Sequence, residues 1–303
     1  MNTPKELLLN FGYKNEECDK ILSEYSLQNY TNDTLYTRIT KNIDFLLSLG
    51  YSKKTIIKIT KSLPYIYSLS VENMKQKIDD MITLGYSKDE VIKITKTLPI
   101  IYGYSIENIK HKIKNISTLG YSKDEVIKMT KDLPIIYCLS IHNMKQKVDD
   151  LISLGYSKYE VIEMTKVLPS MYSYSIESLR QKMDDLISLG YSKNEVIEMT
   201  KSLPSMYSYS IENMKQKIDF YDAIGMHKLA VVDPKRLMQS TALSYARYEF
   251  YKEKGIEINM TNYTKLFVNQ NYFEKKYGIT KQELLEKYDY NKFMEGKNNG
   301  RTV

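Results

Sequence analysis

At 303 residues, with 42% hydrophobic and 27% charged side chains, the chain has the composition of a folded protein rather than a disordered one. No apolar run approaches the roughly 18 residues that a membrane span requires, and the opening Met-Asn-Thr-Pro-Lys-Glu carries neither a signal-peptide core nor an Arg/Ser-rich transit pattern. A formal charge of +7 permits an anionic partner without demanding one, and two cysteines at unrelated positions, Cys18 and Cys138, give neither a disulfide framework nor a zinc site. A reducing, cytoplasmic setting is the expectation.

Residues 1–49 form a worn first unit: Gly12-Tyr13 opens it, it has no proline corner, and it closes at Gly50. From there the chain repeats itself. Gly50, Gly85, Gly120, Gly155, Gly190 and Gly225 are each 35 residues apart, and Pro64, Pro99, Pro134, Pro169 and Pro204 keep the same step. A fixed period of this length is the mark of a stacked repeat architecture.

The unit that begins at Gly85 shows how the period folds. Gly85 suits the left-handed position that closes a helix. Ser87 and Glu90 make a capping box, repeated at Ser122/Glu125, Ser157/Glu160 and Ser192/Glu195, whereas Ser52 has Thr55 in that place. The spacing of Val91, Ile94 and Leu98 predicts a first helix ending near Leu98, because Pro99 forces the residue before it out of the α region. Residues 100–102 are predicted to form a tight turn or short 3₁₀ piece. Ser105 then caps a second helix, with Glu107 well placed against its dipole and Ile106, Ile109, Ile113 and Ile116 as its core stripe. One such unit buries too little apolar surface to offset the ordering of its own backbone, so neighbours must stack on it.

Beyond residue 224 the pattern wears again. Gly225 to Gly255 is a shortened unit with Pro234 out of register. Residues 263–277 and 280–288 are predicted to be closing helices, the second with a Thr280/Glu283 box, and residues 292–303 a frayed tail. The predicted organisation is therefore a capping repeat over 1–49, five repeats over 50–224, a degenerate repeat and helical cap over 225–291, and the tail. The fold class is all-α: a solenoid, right- or left-handed, of helix–proline corner–helix repeats.

Charge does not follow the repeat. Lys/Arg minus Asp/Glu is −2 over residues 1–49, +3 over 50–84, +3 over 85–119 and 0 over 120–154. It is −1 over 155–189, −1 over 190–224 and +5 over 225–303.

The string Leu119-Gly120-Tyr121-Ser122, then Leu133-Pro134, then Ser140 to Leu154 resembles the repeat of the mitochondrial transcription termination factor (mTERF) family, and the likeness runs in register through roughly residues 45–255. The resemblance implies an mTERF-like superhelix of two α-helices and a 3₁₀ turn per repeat, with a basic groove for double-stranded nucleic acid. It also extends to Leu243-Ser244-Tyr245-Ala246-Arg247, where the family has Pro-Arg and this chain has Ala246 before Arg247. The missing organelle address and the Lys/Ile/Asn/Tyr-rich usage point to a bacterial, phage or plasmid source; in a eukaryotic source the address would be mitochondrial.

Three cationic rows follow from the period. Lys61, Lys96, Lys131, Lys166 and Lys201 end the first helices; Lys75, Lys110, Lys145, Arg180 and Lys215 lie on the second helices. Lys77 and Lys112 begin a third row, continued at Lys147, Lys182 and Lys217. Stacking turns each row into a ladder suited to a phosphate backbone; the plain alternative is a solvated face with partners such as Asp79 or Asp149. With Arg247, the three rows supply the expected nucleic-acid contacts. Lys58, Lys93 and Lys128 give way to Glu163 and Glu198, so that position either tunes which part of the chain touches nucleic acid or has drifted.

The 28 tyrosines read as packing rather than base stacking. One set (Tyr51, Tyr86, Tyr121, Tyr156, Tyr191) follows the stop glycines and another (Tyr67, Tyr102, Tyr137, Tyr172, Tyr207) follows the proline corner. His111, His142 and His227 form no catalytic set with Ser, Cys or Asp, and there is no glycine-rich phosphate loop. The reading is a non-enzymatic, monomeric binder of double-stranded DNA, without cofactor or small-molecule substrate, acting in transcription termination or regulation or in replication. The alternatives are a protein-interaction scaffold, which the acidic fourth and fifth repeats favour, and an RNA-binding repeat protein.

Overall fold

The period fixed by the glycines and prolines is the period of the backbone in the computed structural model, which describes residues 3–293. In the unit beginning at Gly85, the first helix is Lys88–Thr97, the corner is a 3₁₀ helix at Pro99–Gly103, and the second helix is Ile106–Ser117. The Ser87 hydroxyl accepts from the Glu90 amide and the Glu90 carboxylate accepts from the Ser87 amide, the reciprocal cap that the sequence predicts. Leu98 closes the helix with φ −130° and ψ 72°, outside the α region that the following proline disfavours. Gly85 itself sits at φ +113°, a conformation that a side chain would strain.

The chain divides into two compact units, Met1–Lys145 and Gln146–Val303. The first opens with Pro4–Phe11 and then repeats helix, 3₁₀ corner, helix: Asn15–Leu22, Tyr25–Leu27 and Asn32–Ser48; Lys53–Ser62, Pro64–Ser68 and Val71–Leu84; then the Gly85 unit; then Lys123–Asp132 and Pro134–Cys138. The helix Ile141–Leu154 contains the division. The second continues with Lys158–Val167, Pro169–Ser173 and Ile176–Ser188, and with Lys193–Ser202, Pro204–Ser208 and Ile211–Ala223. Among the described residues there is no strand, and the architecture is an α-helical repeat solenoid.

Both worn ends keep the three-part pattern. The N-terminal one makes its corner without proline. In the C-terminal one the first helix shrinks to Leu229–Val232 before the Pro234–Met238 corner and Thr241–Glu253. Where a closing helix was expected over 263–277, the chain instead makes another corner, Tyr263–Phe267, followed by Gln270–Tyr277; the helix Lys281–Lys287 has the predicted Thr280/Glu283 box. The tail expected from residue 292 lies outside the described residues from 294 onward. Its first two residues continue a helical turn over 290–293, in which Phe293 stacks on Tyr245 at 4.7 Å.

Candidate nucleic-acid interface

Within each unit, a stop-glycine tyrosine ties its repeat to the next through a buried polar knot. Tyr86 places its hydroxyl 2.5 Å from Thr130 Oγ1 and 2.5 Å from the Tyr137 hydroxyl. Tyr13 does the same with Thr60 and Tyr67, Tyr51 with Thr95 and Tyr102, and Tyr156 with Thr200 and Tyr207. Burial raises the pKa of each of these stop-glycine tyrosines, so all stay protonated and able to donate. Both tyrosine sets are therefore committed to repeat-on-repeat packing and withheld from base stacking. The threonine that links them was missed in the sequence. Its signal is the Thr-Lys dipeptide at 60–61, 95–96, 130–131, 165–166 and 200–201.

The first cationic row adjoins this knot and is also engaged. Lys131 lies 3.0 Å from Glu90, Lys201 lies 3.2 Å from Glu160, and Lys61 pairs with Glu17. In each pair the glutamate is the capping-box residue of the preceding repeat. Lys96 faces Thr55 in that place and donates instead to the Gly50 carbonyl at 3.0 Å. Lys166 and Lys201 also pair within their own helices, with Glu163 at 2.6 Å and Glu198 at 2.5 Å. Glu17, Glu90 and Glu160 are held below the usual carboxylate range, chiefly by their capping hydrogen bonds and then by the bonds at their side chains.

Several members of the third row act as structural pegs, while Lys147 lies 3.8 Å from Asp150 on its own helix. Asn42 occupies the same repeat position one unit earlier and donates to the carbonyls of Ile66 and Leu69 at 2.9 and 3.1 Å. Lys182 donates to the Tyr209 carbonyl at 2.6 Å, and Lys217 to that of Leu237. Each peg runs from a second helix into the corner of the next repeat, whose carbonyls have no helical partner. Lys77 is only 6% exposed, and burial lowers the pKa of Lys77, Lys112 and Lys217.

Arg247 is the last peg, and its expected place in the interface is corrected by its burial. It is 2% exposed, donates from Nη1 to Leu266 O at 3.0 Å and Val268 O at 2.8 Å, and from Nη2 to Gln270 Oε1 at 2.8 Å. A guanidinium so enclosed has no face for a phosphate. Lys77 is corrected in the same direction, since a buried ammonium is poorly placed to meet solvent-borne anions, whereas Lys112 is half-buried.

The second row remains at the surface. Lys75, Lys110, Lys145 and Arg180 are exposed and make no ion pair with described residues; Lys75 lies over the Phe45 ring, and only Lys215 is paired, with Asp219 at 2.9 Å. Around Lys75 the helices Asn32–Ser48 and Val71–Leu84 leave an open depression of about 670 Å³, lined by Lys41, Phe45 and Lys88 but also by Asp44, Glu72 and Asp79. The second-helix face is thus mixed in charge. The exception is Ile106–Ser117, where Lys110, His111 and Lys114 meet only Glu107.

Nothing among the described residues groups three or more His, Cys, Asp or Glu side chains around a possible metal position, and both cysteines are free thiols. No described helix is long and apolar enough to cross a membrane. The structural class is an α-helical repeat solenoid. The mTERF family matches over residues 3–153 and again over 147–274, and the chain belongs to that family. No curated protein gives a significant match to the chain.

Proposed function

We propose that the protein binds double-stranded DNA and regulates transcription or replication by occupying its site. The observation that carries this reading is family membership across residues 3–274. It is supported by the second cationic row: Lys75, Lys110, Lys145 and Arg180 recur at one repeat position, exposed and without carboxylate partners among the described residues. Affinity comes mainly from such cations on phosphate, so it depends steeply on salt. The chain acts as a monomer, without cofactor and without catalysis. Titration with a fluorescent DNA duplex, a matched RNA duplex and single strands tests it. The DNA duplex is expected to bind tightest, and stronger binding of either RNA form overturns the choice of partner.

A protein-scaffold reading has one observation in its favour. Leu47 and Ile82 in the first unit, and Ile152 and Ile187 in the second, expose an apolar side chain at the same second-helix position. Retention of a protein partner by a chain that fails to bind any duplex would select that reading.

A further inference from the structure

The second helices are not the only place where unpaired cations recur with the repeat. In the first unit Lys58, Lys93 and Lys128 occupy one position of the first helix, three residues before Lys61, Lys96 and Lys131. All three are exposed and form no ion pair with described residues. Two cations at that spacing share a helix face and repel, which weakens the helix that carries them. The second unit shows the arrangement that folding alone would favour: Glu163 and Glu198 take the same position and close ion pairs with Lys166 and Lys201 at 2.6 and 2.5 Å.

The neighbours on that face deepen the contrast. The helix Lys53–Ser62 carries Lys53, Lys54, Lys58 and Lys61 and no acid. On the next two first helices Asp89 and Asp124 stand one turn before Lys93 and Lys128, yet neither forms an ion pair with described residues. Asp132 ends the third of these helices. Glu17 and Glu90, which also border these helices, pair with Lys61 and Lys131 rather than with Lys58, Lys93 or Lys128.

We infer that the first-helix face of residues 53–132 is a second phosphate-contacting surface, with Lys58, Lys93 and Lys128 meeting successive phosphates of a nucleic-acid duplex. Like charges held at a 35-residue repeat, unpaired and at the expense of local helix stability, match a polyanion and no neutral ligand. The inference rests on the proposed duplex binding and adds to it a surface and a unit. The corresponding surface of the second unit is closed by its own glutamates.

The test uses the full chain and a DNA duplex, and compares wild type with the triple variant Lys58→Glu/Lys93→Glu/Lys128→Glu. Glutamate is the residue the chain itself uses there in two other repeats, beside the same lysine, so the variant is expected to keep its helical circular dichroism. The triple Lys→Gln variant repeats the measurement without adding negative charge. Loss of three contacts should make the slope of log affinity against log salt shallower by about 2 to 3, with duplex affinity at low salt falling at least tenfold. A wild-type slope retained by either folded variant overturns this surface and leaves duplex binding standing. A wild type that binds no duplex overturns the functional reading itself.

Discussion

Arg247 donates to the Val268 carbonyl at 2.8 Å, and Asn42, near the other end of the chain, donates to the Leu69 carbonyl at 3.1 Å. Both donors stand at one repeat position of a second helix, and both acceptors stand where a corner passes into the next helix. The position is asparagine, lysine or arginine, so what the repeat keeps there is a hydrogen-bond donor rather than a charge. Its duty is to satisfy carbonyls that the 3₁₀ corner leaves open.

Replacing Arg247 by Ala should therefore destabilise the C-terminal elements. Two buried carbonyls lose their donor at about 1–3 kcal/mol each, so a loss of at least about 2 kcal/mol is expected in urea denaturation. At a temperature where the variant stays folded, its duplex affinity should match wild type. A phosphate-binding arginine would give the opposite pattern: little change in stability and a weaker complex.

The tyrosine knots make a second prediction. Tyr156→Phe removes a hydroxyl bonded at 2.5 Å to both Thr200 and Tyr207 in a buried site. A loss of about 1–2 kcal/mol is expected, whereas Tyr159→Phe, at 72% exposure, should be silent. Equal melting temperatures for the two variants would remove the knot from the account of repeat coupling.

Acid should loosen the array through its bridging carboxylates. Glu17, Glu90 and Glu160 have lowered pKa values, and Glu195, bonded to Lys228 and to its Ser192 cap, is held at about 2. A carboxylate with a depressed folded pKa contributes stability that is complete above its unfolded value of about 4.3 and is lost as pH falls through the folded one. The melting temperature should hold near neutrality and decline from about pH 4.5 toward about pH 2. Glu195→Gln should flatten part of that decline, and an identical acid profile in the variant would contradict the assignment.

The second and first cationic rows should separate in binding. Lys75→Ala/Lys110→Ala/Lys145→Ala removes exposed, unpaired cations and should make the salt slope shallower by about 2 to 3. Lys61→Ala/Lys131→Ala/Lys201→Ala removes lysines already spent on glutamates and should cost stability, at most about 1 kcal/mol per exposed pair, with little change in slope. Duplex binding that responds only to the second of these triples would reverse the assignment of the rows.

How much of this was legible in the sequence depends on whether its cause is local. Ser87, Glu90, Pro99 and Gly85 act within one turn of themselves, so the caps, corner and stops could be read directly. The corner at Tyr263–Phe267 was read as helix because it lacks the proline that marks the others. The rows were legible as rows, but their duties were not. Lys75 and Lys77 are two residues apart on one helix, about 200° around its axis, and only the stacked neighbour decides which meets water and which meets a carbonyl. The same holds for Lys131, whose partner Glu90 lies more than one repeat away. Family resemblance pointed to Arg247, and burial gave it another task.

The most direct test of nucleic-acid binding is the affinity of the full chain for a DNA duplex measured from low to physiological salt. Six to ten phosphate contacts predict a slope of log affinity against log salt of roughly −5 to −9. Binding that is absent, or flat across that range, would contradict the account.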